Sequence, residues 1–185
     1  VAGSTGFDPV IDIRTGTCNG TNISCADATF TGGTEVVNAT GLILGDTYYV
    51  RVYHYGTSPT TPTFTICITT PPPVNDDCSG ATSLTVYDTV CGSATTGNVL
   101  SATQSLAASC GGTADDDVWY SFVATSTTHD ITVVGSSGFD AVIDLRSGSC
   151  NGTNISCEDA IFTGGGTEVL NATGLTVGDT YYVRV

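Results

Sequence analysis

One stretch of this chain occurs twice, and that duplication limits the available folds more than any other feature. The first copy runs from Val1 to Val52 and the second from Val133 to Val185. Forty-one of the 52 aligned positions are identical, and the second copy has one extra glycine in its Gly164–Gly166 run. A repeat distance of about 132 residues is too long for a solenoid and suits a whole small domain. The chain therefore reads as a window of about 1.4 units from a tandem array. The expected organisation is the C-terminal part of one β-sandwich repeat over residues 1–69, a Pro-rich linker over 70–76, and the N-terminal and central part of the next repeat over 77–185. On this reading the first repeat lacks the counterpart of Val74–Thr132, and the last strands of the second lie outside the window. Either neighbouring chains or one long polypeptide would supply the missing strands, and the covalent array is the simpler expectation.

Local patterns predict short strands throughout. Phe7, Ile11 and Ile13 alternate with Asp8, Asp12 and Arg14, the period-2 signature of a half-buried strand. The Asp-x-x-x-Asp-x-Arg and Tyr-Tyr-x-Arg patterns are expected to point outward, with Arg51 lying along neighbouring tyrosines. Further strands are expected at Thr34–Val37, Thr47–Tyr55, Thr63–Thr69, Asp117–Ala124 and Ile131–Val134. A hairpin of Ser83–Val86 with Thr89–Gly92 would turn at Tyr87-Asp88. Pro71-Pro72-Pro73 favours polyproline II and marks a stiff boundary. Regular short strands with frequent turn signals predict an all-β fold of tandem, jelly-roll-like β-sandwich modules.

Charge excludes several function classes. The chain has no lysine, four arginines and 18 acidic residues, for a net charge of −14. Such a surface repels phosphate backbones and anionic membranes, so neither nucleic acid binding nor direct membrane insertion is expected. Only two histidines are present, His54 and His129, and neither lies in the duplicated stretch. With no Gly-x-Ser-x-Gly elbow and no His-Glu-x-x-His, the chain is not expected to be an enzyme. No cofactor is required by these patterns. Calcium is the one cation the acidic loops could hold, with Asp115, Asp116 and Asp117 as candidate ligands.

Eight cysteines point to an oxidising, extracellular or cell-surface setting. Cys18 and Cys25 recur as Cys150 and Cys157 at the same spacing. That reuse predicts two local disulfides, Cys18–Cys25 and Cys150–Cys157, each closing a short loop worth about 2–3 kcal/mol. For Cys67, Cys78, Cys91 and Cys110, both Cys78–Cys91 and Cys91–Cys110 are open pairings. Asn19, Asn22 and Asn38, repeated as Asn151, Asn154 and Asn171, stand in Asn-x-Ser/Thr sequons on turn-rich segments.

The ordered set Asp116-Asp117-Val118-Trp119-Tyr120-Ser121-Phe122, Ile131-Thr132-Val133, Phe139-Asp140-Ala141-Val142-Ile143-Asp144-Leu145 and Thr180-Tyr181-Tyr182-Val183-Arg184-Val185 resembles the bacterial pre-peptidase C-terminal domain. It is most similar to the tandem variant in secreted proteins of Bacteroidota, where a Pro-rich linker leads into an Asn-Asp-x-Cys start, here Asn75-Asp76-Asp77-Cys78. The resemblance implies a non-catalytic jelly-roll module of secreted enzymes or surface adhesins, and export by type IX secretion. Asp88-Thr89-Val90 also resembles the O-glycosylation motif of that phylum, which makes Thr89 a candidate site.

The function expected from these features is a structural or adhesive repeat of a long extracellular protein, a stalk, filament or adhesin. Its partners would be neighbouring repeats of the same polypeptide or like filaments, with surface polysaccharide or protein as ligands. The alternative is a substrate-targeting module appended to a secreted hydrolase such as a peptidase.

Overall fold

The computed structural model describes residues 1–185, and the chain is all-β apart from one 3-10 turn at Cys78–Gly80. It divides into two compact units, Val1–Thr69 and Thr70–Val185. The first unit holds β1 (Ala2–Gly3), β2 (Pro9–Thr15), β3 (Asn22–Ala26), β4 (Tyr48–His54) and β5 (Phe64–Thr65). Strand β2 pairs antiparallel with both neighbours in the order β3-β2-β4, and β1 pairs with β5.

The second unit is a β-sandwich of β6 (Thr82–Ser83), β7 (Trp119–Val123), β8 (Thr128–Val134), β9 (Ile143–Ser147), β10 (Asn154–Glu158), β11 (Thr167–Thr173) and β12 (Thr180–Arg184). Five strands form one sheet in the order β10-β9-β12-β7-β6, and β11 pairs with β8 in the other. The core between the sheets follows from alternation. Tyr120, Phe122, Ile143, Leu145, Tyr181 and Val183 point inward from the large sheet, against Leu170 and Ala172 of β11 and the half-buried Ile131 and Val133 of β8. Along β11 the even positions Glu168, Leu170 and Ala172 are buried and the odd ones face solvent, as a period of two requires. A tyrosine fixes the entry to the last strand in each copy. The Tyr181 hydroxyl accepts the Thr176 amide at 2.9 Å, and Tyr48 accepts the Ile43 amide at 2.9 Å. The preceding glycines, Gly178 and Gly45, have φ of 92° and 89°, a region open to glycine at little cost.

Several expected elements take another form. Residues 86–92 form no strand, and Thr82–Ser83 instead lies parallel to β7. The predicted strand at Thr63–Thr69 is limited to Phe64–Thr65. Thr34 makes only an isolated bridge to Ala2, whereas its counterpart Thr167 opens the seven-residue β11.

The disulfides correct the local pairing. Cys150 bonds Cys78 with Cα atoms 5.9 Å apart, and Cys157 bonds Cys110 at 5.7 Å. Cys18 and Cys25 are free and exposed, as are Cys67 and Cys91. The reason lies in the hairpin. Cys157 stands in β10 opposite Asp144, while Cys150 lies in the loop beyond Ser147. From Asn154 to Cys157 the extended chain covers about 10 Å, more than the ~7 Å limit for bridging two cysteine Cα atoms. Cys25 stands opposite Asp12 in the same way, and Cys18 and Cys25 are not bonded to each other. Cys78–Cys91 and Cys91–Cys110 are likewise excluded by the partners that Cys78 and Cys110 take.

Candidate functional site

The most concentrated chemistry in the chain lies on the face of the large sheet turned away from the core. There β9 and β12 present Asp144, Arg146 and Arg184, all buried. Alternation places these side chains opposite the core, and the segment leading into β7 covers them. Asp144 accepts from Arg146 Nη2 at 2.9 Å, Ser109 Oγ at 2.5 Å and Asn154 Nδ2 at 2.5 Å, and it forms an ion pair with Arg184 Nη2 at 2.8 Å. Arg184 also donates to Asp117 Oδ2 at 3.3 Å and to the Leu106 carbonyl at 2.8 Å. Ser105 donates its amide and hydroxyl to Asp117 and accepts from the Trp119 indole at 2.6 Å. The Cys110–Cys157 bond fastens the covering segment to β10.

The first copy holds the same arrangement uncovered. Asp12 is hidden beneath Arg14 and Arg51, which both bond it, but the Arg51 side chain is 56% exposed against 5% for Arg184. Arg51 lies 4.8 Å from the Tyr53 ring centroid. The outward direction expected for these aspartates holds only as a direction away from the core. Asp12 and Asp144 are both buried and paired with arginine, so they are not free surface groups.

Electrostatics matches this bonding. Hydrogen bonds from Arg14 hold Asp12 below the usual carboxylate range, against burial and with help from Arg51. Burial alone would push Asp144 up, but hydrogen bonds from Ser109, Arg146 and Asn154 outweigh it and hold this carboxyl low as well. Glu35 is a second duplicated, buried carboxylate. It caps the Ala28 and Thr29 amides and accepts the Thr29 hydroxyl, which lowers its pKa, and its counterpart Glu168 caps Ala160 and Ile161.

The acidic triplet does not converge. Asp117 is turned inward onto Arg184 and Ser105, whereas Asp115 and Asp116 are exposed. Partial burial and the Asp115 charge raise the pKa of Asp116. No group of three or more His, Cys, Asp or Glu side chains is placed to hold a metal ion. Both histidines accept backbone hydrogen bonds. His54 Nδ1 takes the Asp8 amide at 3.0 Å, and His129 Nε2 takes those of Thr125 and Ser126 at 3.1 Å. Thr89 is exposed in a bend. Asn154 of the fifth sequon is tied to Asp144, and its amide is engaged.

Two hollows are present in the second unit. One, of about 70 Å³, lies beside Asp116, Asp117, Asp140 and Arg184, and the other, of about 200 Å³, is lined by Asn75, Thr82, Thr96, Asn98 and Tyr120 among others. Both are smaller than the ~300–1,000 Å³ typical of small-molecule pockets. The Asn-Asp-x-Cys start is part of the frame. Asn75 exchanges hydrogen bonds with the Trp119 backbone, Asp76 binds Thr103, and Cys78 is bonded to Cys150.

A family of galactose binding domain-like modules associated with type IX secretion matches residues 74–185. The chain belongs to that family. Its β-sandwich, two disulfides and type IX association fit a secreted protein. No helix is long and apolar enough to cross a membrane. No curated protein and no solved structure matches the chain.

Proposed function

We propose that this chain is part of a non-catalytic structural and adhesive array, built from repeated β-sandwich modules of a long extracellular surface protein. The observation that carries this is what the duplication preserves. Asp12/Asp144, Arg14/Arg146, Arg51/Arg184, Glu35/Glu168 and Tyr48/Tyr181 all bond within their own unit. The repeat therefore copies a scaffold. All four arginines are held in ion pairs with aspartate, which agrees with a framework role. The finer likeness to the tandem pre-peptidase C-terminal variant belongs to this proposal and rests on the motif order.

Contact with a partner is assigned to the outer surface. Ile23 and Phe30 are exposed at 41% and 85%, and their counterparts Ile155 and Phe162 at 41% and 75%. The same apolar side chains thus face solvent in both units, unlike most of the duplicated hydrophobics. Phe162→Ala should reduce retention of the chain on its native cell surface without moving the unfolding midpoint, since an exposed ring adds little to stability. Unchanged retention for both Phe30→Ala and Phe162→Ala would overturn the assignment.

The family favours a second reading, a carbohydrate-binding module, which would serve as the substrate-targeting part of a secreted hydrolase. Tyr120 with Asn75, Asn98, Thr82 and Thr96 presents one aromatic ring with amides and hydroxyls in the larger hollow, the mix a sugar needs. Titration with galactose-bearing oligosaccharides distinguishes the two. Saturable binding lost in Asn98→Ala supports the targeting module, and its absence leaves the array as the better account.

A further inference from the structure

We propose that the Val1–Thr69 unit is completed by a second copy of the 74–132 segment, joined directly ahead of Val1. In the completed unit, that copy's equivalents of Cys78 and Cys110 form disulfides with Cys18 and Cys25. The inference stands whether the array is adhesive or sugar-binding, because it concerns what covers one sheet.

Three independent vacancies in the first unit match this one occupant. The first is a strand edge. In the second unit β12 lies between β9 and β7, whereas its counterpart β4 is an edge strand paired with β2 alone. The second is an apolar face. Val50 is 37% exposed where Val183 is 1%, and Leu42 is 46% where Leu175 is 3%. Val37 is half-buried where Leu170 is fully buried. In the second unit that face packs against Val118, Tyr120, Phe122, Ala124 and Ile131, all from the 74–132 segment. The third is a pair of thiols. Cys18 and Cys25 are free, while Cys150 and Cys157 bond Cys78 and Cys110 of that segment.

The backbone register shows how the segment is attached. Strand β8 pairs with β11 from Thr128↔Thr173 to Val134↔Thr167. The first unit keeps only the last rungs of this ladder. Ala2 bridges Thr34, and the Val1 carbonyl accepts the Glu35 amide at 2.8 Å. Residues 36–40, the counterpart of the rest of β11, have no partner strand. Continuing the ladder requires chain running directly into Val1. A second copy of this same 185-residue chain cannot serve, because its single 74–132 segment is already bonded within its own unit. Lending it would fill one face by opening another. Closing each bond oxidises two thiols to a disulfide and needs a thiol oxidant, such as a disulfide exchange partner of the oxidising compartment.

The test is a polypeptide with an added copy of residues 74–132 fused ahead of Val1, oxidised and digested without reduction, then mapped by mass spectrometry. The peptides around Cys18 and Cys150 differ at Thr17 and Ser149, and those around Cys25 and Cys157 at Ala26 and Glu158, so each linkage is identifiable. The expected result is Cys18 joined to a Cys78 peptide and Cys25 to a Cys110 peptide, with both thiols lost to alkylation. Amide exchange over Val36–Thr40 and at Val50 should slow at least tenfold relative to the 185-residue chain. A Cys18→Ser, Cys25→Ser form of the extended polypeptide should keep the slowed exchange, which separates packing from the crosslink. Cys18 bonded to Cys25, or both thiols still alkylated and exchange unchanged while Cys78–Cys150 and Cys110–Cys157 form, overturns the proposal. Interchain Cys18–Cys78 bonds in a dimer of the unextended chain would also overturn it, by assigning the segment to a second copy.

Discussion

Replacing Asp144 by Asn tests the central bonding claim, because its counterpart Asp12 supplies an internal control. Asp144 neutralises two buried guanidiniums, and its removal leaves Arg146 with the Gly152 carbonyl and the Ser109 hydroxyl alone. Arg184 retains Asp117 at 3.3 Å. Breaking a buried ion pair by removing one partner costs roughly 3–5 kcal/mol, because a charge is left uncompensated away from water. Because Arg184 keeps Asp117, about one such loss is expected, which is a large fraction of a net stability of about 5–15 kcal/mol. With a urea m-value of about 1–3 kcal/mol/M, the midpoint should fall by roughly 2 M. Trp119 is the chain's single tryptophan and lies 5.8 Å from the Arg184 guanidinium, so its fluorescence reports this unit. Asp12→Asn should leave the Trp119 transition in place and disturb the first unit little, since its arginines reach water and exposed pairs contribute little. A fall under about 0.5 M for Asp144→Asn, or an equal fall for Asp12→Asn, would show that burial does not set the strength of this network.

Other expectations follow from the same geometry. Cys78→Ala frees a 72-residue loop and should lower stability by about 4 kcal/mol on the chain-entropy estimate, read as a lower urea midpoint, whereas Cys91→Ala should change it little because Cys91 is free and exposed. Acid should unfold the second unit from below the ordinary aspartate range. The folded pKa of Asp144 is depressed, so its contribution is fully present above the unfolded value of about 4 and is lost as pH falls. A Trp119 transition flat down to pH 2 would contradict this. Leu170→Ala removes a fully buried side chain and should cost about 2–5 kcal/mol, while Val36→Ala, at an exposed position of the first unit, should be near neutral in the same thermal unfolding assay.

Much of the strand content was legible because it is written with a period of two. Phe7 to Arg14, Thr47 to Tyr55, Asp117 to Ala124 and Ile131 to Val134 all contain strands where alternation places them. What alternation cannot tell is whether the second face is wet. Asp144 and Arg146 point away from the core as expected, but Ser105, Ser109 and Asp117 cover them from at least 27 residues earlier in the chain. That cover is polar and irregular, so its own sequence carries no period. The disulfides failed for a related reason. Equal spacing of Cys18/Cys25 and Cys150/Cys157 showed that both positions matter, but the bonds join residues 72 and 47 apart. One signal was available. A cysteine seven positions past another, close to the end of a five-residue β-strand, is held in the sheet and turned toward a partner from elsewhere in the chain.

The two copies separate what is locally encoded from what is not. Asp12 faces Cys25 and Arg51 in its sheet, and Asp144 faces Cys157 and Arg184. Register is therefore set within the 52 shared positions, since it is the same with and without the 74–132 segment. Burial is not set there. Ile13, Val37, Leu42 and Val50 keep water contact, whereas Leu145, Leu170, Leu175 and Val183 lose it. Fully burying each such side chain contributes about 1.5–3 kcal/mol, so the uncovered sheet forgoes on the order of 5 kcal/mol even after discounting for partial burial. That is comparable with the lower end of a small domain's net stability. A sheet can thus hold its pairing and still fall short of a stable core. In a tandem array this makes the 74–132 segment the element on which each module's folding depends, and it makes the order of synthesis favourable. That segment emerges ahead of the strands it covers, so the face closes as soon as the last strand pairs.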